Sequence, residues 1–198
     1  MIRLTVPLFL LLTSCTSVNY SYFNDLKNVI SKNQINVDES FIQDQPYSFI
    51  KISNSKNDAI FVLANITESG IYEWVGQNYE RIKTKDGLII ETFGLESDIK
   101  FHHHNFSILD DASKIDSYIN LYNPDLYYEA ISLINKASVT SINDMNEKIK
   151  VVKYLKSVPG IGWTAKESFT FKNNIIFKAN QSINPHMDHL EITFYFKY

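Results

Sequence analysis

Cys15 carries the most specific chemical signal in this sequence. It is the single cysteine of the chain, and it follows the small residues Thr13 and Ser14 at the end of an apolar segment that begins after Arg3. This order of positive charge, apolar core and small residues is typical of an export signal. A cysteine at its end is typical of a bacterial lipoprotein signal, in which the thiol takes a diacylglyceryl group before cleavage. We therefore expect the mature protein to begin at an acylated Cys15.

Two other interpretations of this segment are weaker. A transmembrane helix needs about 20 apolar residues, and this segment is shorter. A plain secretory signal with a chance cysteine would show the same small residues before the cleavage site. Thr16 stands where enteric-type sorting uses an aspartate to retain lipoproteins on the inner membrane, which favours the outer membrane. We expect a signal peptide over residues 1–14, a tether over 15–22 and a folded periplasmic domain over 23–198.

Histidines form a second cluster that could do chemistry. His102, His103 and His104 are consecutive, and His186 or His189 could join them in space. Imidazole groups suit zinc or copper. Adjacent histidines in a polar stretch are usually solvated, however, and no cysteine or carboxylate spacing supports a site. We expect no metal and no cofactor.

Carboxylates suggest a third possibility. Asp110, Asp111 and Asp116 resemble the acid pair of a glycosidase, which needs two carboxyl groups about 5–9 Å apart, one with a raised pKa. Adjacent aspartates on a strand or loop point apart, and a helix cap or solvated loop explains them better. The sequence shows no Ser-His-Asp order, nucleophile elbow or glycine-rich phosphate loop. We expect no catalytic residue and no enzymatic activity.

Aromatic side chains are the remaining candidates for ligand binding, because an aromatic face packs against the apolar C–H face of a pyranose. The candidates are Tyr72, Trp74, Tyr79, Tyr127, Tyr128 and Trp163. Most aromatic residues in a β protein fill the core. We assign Trp74 to the core and take Trp163, beside a turn, as the better surface candidate.

Composition restricts the partners and the fold. The 198-residue chain has a formal charge of −3, and removal of the signal peptide makes the charge more negative by one because Arg3 is lost. No concentrated basic face is evident, so nucleic acid is an unexpected partner. With Cys15 acylated, no disulfide can form, and one domain must depend on its apolar core.

Most of the chain after residue 47 has the pattern of β-strands. Strand-like runs occupy residues 48–52, 59–64, 71–75, 79–83, 88–93, 127–135, 149–156, 167–171, 174–178 and 189–197. Asp86-Gly87 and Asn173-Asn174 are typical of tight hairpin turns. We expect a helix over Phe23–Ser31 and one or two helical turns within residues 110–122. The predicted fold is mainly β: a single domain of antiparallel strands, a curved or partly closed barrel or sandwich, with one or two short helices.

Several short motifs occur in a recognisable order. They are Trp74, Asp86-Gly87-Leu88, the run from Thr92 through Gly94 and Leu95, Asn123-Pro124, and the segment from Lys178 through Gln181 to Pro185. Together with the lipoprotein signal, this order resembles the YjbF/GfcB-like family of lipoproteins from group 4 capsule and exopolysaccharide gene clusters. The resemblance runs from about residue 59 to residue 197.

The resemblance implies a lipoprotein that Cys15 anchors in the outer membrane of a Gram-negative bacterium, facing the periplasm. It implies an accessory role in assembly or export of a capsule or exopolysaccharide. The implied partners are an outer-membrane β-barrel protein, polysaccharide export proteins and the polysaccharide itself, with no known catalytic residue. Three alternatives stay open at this point: an accessory factor, a carbohydrate-binding module, or an enzyme that acts on the polymer.

Overall fold

The computed structural model describes residues 34–95, 97–102, 106–110, 112–122, 127–143 and 147–197. Cys15, the tether and the predicted helix over Phe23–Ser31 lie outside the described residues, as do His103, His104, Asp111 and Pro124. Those predictions therefore remain untested by the structure.

Twelve antiparallel strands form a closed barrel in which each strand pairs with its neighbours in sequence and the last strand pairs with the first. The strands are β1 (Phe49–Ser53), β2 (Asp58–Ile66), β3 (Ile71–Val75), β4 (Arg81–Lys85), β5 (Leu88–Phe93), β6 (Ile99–His102), β7 (Lys114–Leu121), β8 (Tyr127–Ile142), β9 (Lys148–Val158), β10 (Trp163–Lys172), β11 (Ile175–Gln181) and β12 (Leu190–Tyr195). One short helix, α1 (Glu39–Asp44), and 3-10 turns at Ile108–Asp110 and Pro159–Ile161 complete the described elements. The predicted fold class is confirmed, and the sheet is fully closed.

Two predicted hairpins are present, for the predicted reason. Asp86 and Gly87 have φ angles of 49° and 85° between β4 and β5, and Asn173 and Asn174 have φ angles of 50° and 67° between β10 and β11. Positive φ at both central residues is characteristic of the tight turn that matches the twist of the flanking strands. These turns bring sequence neighbours into antiparallel register.

The helical turns predicted within residues 110–122 are wrong for most of that segment. A 3-10 turn ends at Asp110, and residues 114–121 form β7. Along β7, Ile115, Ser117, Ile119 and Leu121 are buried, while the residues between them are mostly exposed. This two-residue period is that of a strand with one buried face, and it outweighs the Asn-Pro helix-end signal. β6 was not anticipated either.

Closure joins the two ends of the described chain. β1 pairs with β12 from Phe49 opposite Tyr195 to Ser53 opposite Glu191. Beside this pairing, the Lys197 backbone N–H donates to Ser48 Oγ at 2.9 Å. Because no edge strand remains between β1 and β12, the fold avoids an open seam there.

Helix α1 covers the outer face of this closure. Asp38 caps it, since its Oδ1 accepts from the Phe41 backbone N–H at 2.8 Å. The Phe41 ring meets the edge of Phe49 at 5.6 Å between centroids, and Phe49 stacks on Tyr195 at 4.6 Å. A second, smaller apolar cluster therefore lies outside the barrel wall.

The barrel interior is filled by side chains from all twelve strands, which form one contiguous apolar cluster. Its largest fully buried members are Trp74, Tyr154, Phe101, Phe169 and Phe171. Such a core fixes the positions of the strands, so side chains on the outer wall are held in a defined register. No helix in the described ranges has the length and hydropathy needed to cross a membrane.

Candidate functional site

Trp74, the first family-motif residue, lies on β3 with its side chain in the core, as predicted. It is fully buried, and its indole N–H donates to Thr84 Oγ1 at 2.9 Å. Tyr72 stacks on it at 5.9 Å, and Phe194 meets it edge-on at the same distance. In this position the indole ring holds the wall together and has no face open to a ligand.

Gln181 and Gly87, which are far apart in sequence, meet inside the barrel. The Gln181 amide donates to the Gly87 carbonyl at 2.8 Å, and its Oε1 accepts from the Ile89 backbone N–H at 3.0 Å. A Cβ on Gly87 would lie 2.6 Å from Ile176, so only glycine fits there without displacing a neighbour. This contact ties the β4–β5 turn to β11.

Gly94 and Leu95 form the turn after β5. Asp98 accepts from the backbone N–H of Gly94 at 2.9 Å and of Leu95 at 3.1 Å, and from the Thr92 hydroxyl at 2.8 Å. Gly94 has φ of 81°, which favours glycine. This part of the motif organises a loop.

Pro185 is exposed and lies in the loop between β11 and β12, beside the buried Asn184. With Tyr127, Ile161 and His186 it borders a cavity of about 160 Å³. Where the structure describes them, the family-motif residues thus serve mainly to build the barrel.

A buried ion pair, which sequence analysis missed, lies inside the wall between β9 and β10. The Lys156 ammonium contacts the Glu167 carboxylate and donates to the Ser182 carbonyl at 2.7 Å. It also lies 5.8 Å from the Phe101 ring and 5.4 Å from the Trp163 ring. Burial raises the pKa of Glu167, while Lys156 acts in the opposite direction. The sequence carries one signal for this pair: Lys156 and Glu167 each fall at an inward position in the alternating pattern of their strand.

Exposed aromatic side chains meet on the outer wall of β6, β7 and β8. The Tyr118 and Tyr128 rings stack, with centroids 5.0 Å apart and planes at 3°, and are 44% and 59% exposed. His102 meets Tyr128 edge-on at 5.3 Å. Asn120 bonds His102 Nε2 through Oδ1 at 3.0 Å and donates to the Tyr122 hydroxyl at 3.1 Å. We call these five residues the tyrosine patch.

The tyrosine patch has the chemistry of a sugar-contacting surface. Two parallel rings present apolar faces at the surface, and hydroxyl, amide and imidazole groups surround them. Tyrosine combines an apolar body with a polar end that can hydrogen-bond. The Asn120 amide bridges His102 and Tyr122, so hydrogen bonds between side chains hold the polar rim in place.

The structure separates the other aromatic candidates. Trp163 is half-buried and contacts Lys156, and Tyr127 is half-buried against the core. Tyr72 packs on Trp74 inside the barrel. Tyr79 is exposed in the β3–β4 turn, remote in sequence from the tyrosine patch. Tyr128 alone among the predicted six belongs to the patch.

Asp116 lies on the outer wall, where the Ser132 hydroxyl and the Lys114 ammonium hold its pKa below the usual range. A glycosidase general acid needs the opposite shift. His186 and His189 lie between β11 and β12, while His102 belongs to the tyrosine patch. Within the described ranges, no group of three or more histidine, cysteine, aspartate or glutamate residues is placed to hold a metal ion.

Comparison with solved structures supports this architecture. The crystal structure of the hypothetical lipoprotein YmcC from Escherichia coli (K12) is similar in fold, with a TM-score of 0.73. It shares 16% sequence identity, and the match covers 94% of this chain and 98% of that one. At this identity the likeness concerns the fold.

Comparison of sequences gives two results. A search of curated proteins found no match. A family model described as "Group 4 capsule polysaccharide lipoprotein gfcB, YjbF" matches residues 23–195, which include every described strand. The resemblance inferred from the motifs is thereby confirmed, and the chain belongs to the YjbF/GfcB family of group 4 capsule polysaccharide lipoproteins.

Proposed function

We propose that this protein is a non-enzymatic accessory factor for assembly or export of a capsule or exopolysaccharide. In this proposal, acylated Cys15 holds the barrel at the periplasmic face of the outer membrane. The outer wall then contacts the polymer and the outer-membrane and export proteins that move it. Family membership and the lipoprotein signal support the anchor and the link to capsule polysaccharide.

The filled barrel carries the argument for an outer-wall role. Side chains from all twelve strands occupy the interior, and Trp74, Tyr154 and Phe169 are fully buried there. A polymer chain would have to displace this core to pass through it, which would cost many kilocalories per mole in lost packing. Recognition therefore falls to groups on the outside.

Anchoring makes weak contacts useful. A lipid anchor confines the barrel to a thin layer at the membrane, which raises the effective concentration of the barrel near any partner in that membrane. Durable anchoring needs more than one acyl chain, because each buried methylene contributes only about 0.8 kcal/mol. A diacylglyceryl group on Cys15 satisfies this requirement.

The anchor is tested by Cys15→Ser in cells that produce the polysaccharide. We expect the variant to leave the outer-membrane fraction and surface polysaccharide to fall towards the level of a gene deletion. The wild-type protein at matched abundance is the control. Retention of the variant in outer membranes, with normal polymer secretion, would refute the proposal.

A second candidate function, direct binding of the polysaccharide, is favoured by the tyrosine patch. Its test is titration of purified protein with the cells' own capsule polysaccharide by calorimetry. Tyr118→Ala with Tyr128→Ala should weaken binding about tenfold or more, since a stacking contact is worth about 0.5–1.5 kcal/mol. Phe93→Ala, which removes an exposed ring elsewhere on the wall, is the control and should leave binding unchanged.

A further inference from the structure

Three lysines converge on the outer wall of β8, β9 and β10. Lys153 and Lys166 are exposed on neighbouring strands, on either side of Leu155, which lies directly opposite Lys166. Lys136 occupies a β-bulge in β8, where the register with β9 shifts between Asn135 and Ala137. A bulge re-aims the side chain it carries, and Lys136 borders the same depression as the other two. We call this surface the lysine groove.

The lysine groove is a concavity with an apolar floor. Its volume is about 530 Å³, and with the three lysines it is lined by Tyr154, Leu155, Glu167, Ser168, Asn180 and His189. This volume lies within the range of about 300–1,000 Å³ typical of small-molecule sites. A half-buried leucine between polar groups offers an apolar contact for a sugar ring, and Asn180 offers both a donor and an acceptor.

The lysines lack compensating charges. Among the residues that the structure describes, none of the three forms an ion pair or a side-chain hydrogen bond. Two carboxylates are already paired: Glu167 of β10 with Lys156 on the inner side, and Glu191 of β12, opposite Asn180, with Lys178 at 2.6 Å. Like charges held near one another on a sheet repel, and an anion would relieve this repulsion. The groove is a local basic site on an acidic protein.

The groove and the tyrosine patch lie on one line along β8. Tyr128 and Lys136 are separated by about 27 Å at the rise of an extended strand, about 3.4 Å per residue. Between them, Ser132 and Ile134 face outwards, opposite Ser157 and Leu155 of β9. On the other side they lie opposite Asp116 and Lys114 of β7, whose charges pair with each other at 2.9 Å. A surface of this length and direction suits an extended polymer better than a single small ligand.

We infer that the lysine groove binds the carboxylate groups of an acidic polysaccharide, and that the polymer lies along β8 between the groove and the tyrosine patch. This inference rests on the proposed function, because it takes the polysaccharide as the ligand. It adds the charge of the substrate: uronic acids or other carboxylate-bearing sugars, recognised by Lys136, Lys153 and Lys166. Neutral glycans would lack the contacts that these lysines offer.

The test uses affinity electrophoresis of the purified protein in native gels that contain polygalacturonate, fully methyl-esterified polygalacturonate, or no polymer. The two polymers share a backbone and differ in charge. We expect retardation by polygalacturonate, weaker retardation by the ester, and weaker binding as salt is raised. Retardation by both polymers to the same extent would overturn the inference while leaving direct glycan binding intact.

Variants locate the effect. Lys153→Gln with Lys166→Gln should weaken binding to polygalacturonate about two- to thirtyfold, since each exposed charge pair changes an equilibrium constant by a factor of about 1.4 to 5. Lys56→Gln with Lys148→Gln removes the same charge from two exposed lysines elsewhere and is the control. Equal losses in both double variants would show an effect of net charge and would overturn the assignment. Thermal melting of each variant verifies that the barrel remains folded.

A further experiment distinguishes a polysaccharide carboxylate from a lipid phosphate as the anion that the groove binds. Vesicles with anionic phospholipid present phosphate rather than carboxylate groups, and they are offered to the same variants in a sedimentation assay. Stronger dependence on Lys153 and Lys166 for vesicles than for polygalacturonate would assign the groove to a lipid surface and would overturn the inference. Absence of retardation by polygalacturonate would also overturn it. The polysaccharide phenotype of Cys15→Ser tests the proposed function independently.

Discussion

Lys153 and Lys156 lie three residues apart on β9 and occupy opposite sides of the barrel wall. Lys156 is fully buried and held by Glu167 and the Ser182 carbonyl. Lys153 is exposed on the rim of the lysine groove. The same side chain is therefore part of the core in one position and a candidate ligand contact in the other. Strand register, rather than residue type, separates these roles.

The two sides of the wall differ in the same way for aromatic residues. Trp74 donates its only polar hydrogen to Thr84 and is enclosed by other rings. Tyr118 and Tyr128 stack on each other and keep about half of their surface in solvent. Interior side chains should therefore govern stability, and outer ones should govern binding.

The largest difference between the two sides of the wall is expected for substitution of the two lysines. Lys156→Met leaves the Glu167 carboxylate buried without its partner and should lower the free energy of unfolding by about 3–5 kcal/mol. Lys153→Met, the outward control, should change it by less than about 0.5 kcal/mol. Urea denaturation measures both.

A double variant sharpens the same test. Lys156→Met with Glu167→Leu removes both charges and should recover most of the lost stability, because no uncompensated charge remains in the core. Similar losses for Lys156→Met and Lys153→Met would show that the register argument is wrong.

Amide side chains give a smaller contrast on β11. Gln181→Ala removes the bonds to Gly87 and Ile89 and should cost about 2–4 kcal/mol, since two buried backbone groups lose their partners. Asn180→Ala changes the adjacent, outward residue and should cost less than about 1 kcal/mol. Thermal unfolding of the matched pair provides the measurement, and equal shifts in Tm would contradict the inward role of Gln181.

Carboxylates give the smallest contrast, visible as pH dependence. Burial acts to raise the pKa of Glu91 on the outer wall, but hydrogen bonds from Lys83 and Lys100 outweigh it and hold the pKa below its ordinary value of 4.5. This stabilisation is present above pH 4.5 and is lost as the pH falls through the lowered pKa. The pKa of Glu167 is shifted in the opposite direction, because burial raises it. The contribution of Glu167 to folding stability is therefore lost as the pH rises through the raised pKa.

Glu91→Gln should therefore reduce the loss of stability on acidification, by less than about 1 kcal/mol because the group is partly solvated. Urea midpoints measured between about pH 6 and pH 3 test this. A wild-type curve that runs parallel to that of the variant over this interval would show that Glu91 contributes no pH-dependent stability.

Local patterns were enough to place most strands and both tight turns. Asp86-Gly87 and Asn173-Asn174 need positive φ, a preference that few other residues share, so they mark hairpins without knowledge of the rest of the chain. β7 was misassigned although its alternation was present in Lys114–Leu121, because the Asn-Pro stop signal after it was given more weight. Helix α1 has six residues, which are too few to show a helical repeat of apolar positions. Its apolar residues contact a cluster outside the barrel, so tertiary packing holds it in place.

The candidate site was only partly visible in the sequence. Tyr128 was among the aromatic candidates, and His102 belonged to the histidine cluster. Their meeting with Tyr118 depends on the pairing of β6 with β7 and of β7 with β8. Lys136, Lys153 and Lys166 come from three strands, so their convergence follows from register and a bulge rather than from spacing along the chain.

The amino-acid sequence alone determines the lipoprotein signal, the β-rich class, the tight turns and the family. Those features depend on neighbours in the chain: a thiol after small residues, alternation with a period of two, or positive φ at a turn. Closure of β1 on β12, the Lys156–Glu167 pair and the two outer surfaces depend on residues that are distant in sequence. A shift of one residue in register would exchange the inner and outer faces of a strand, and with them every role described for its side chains.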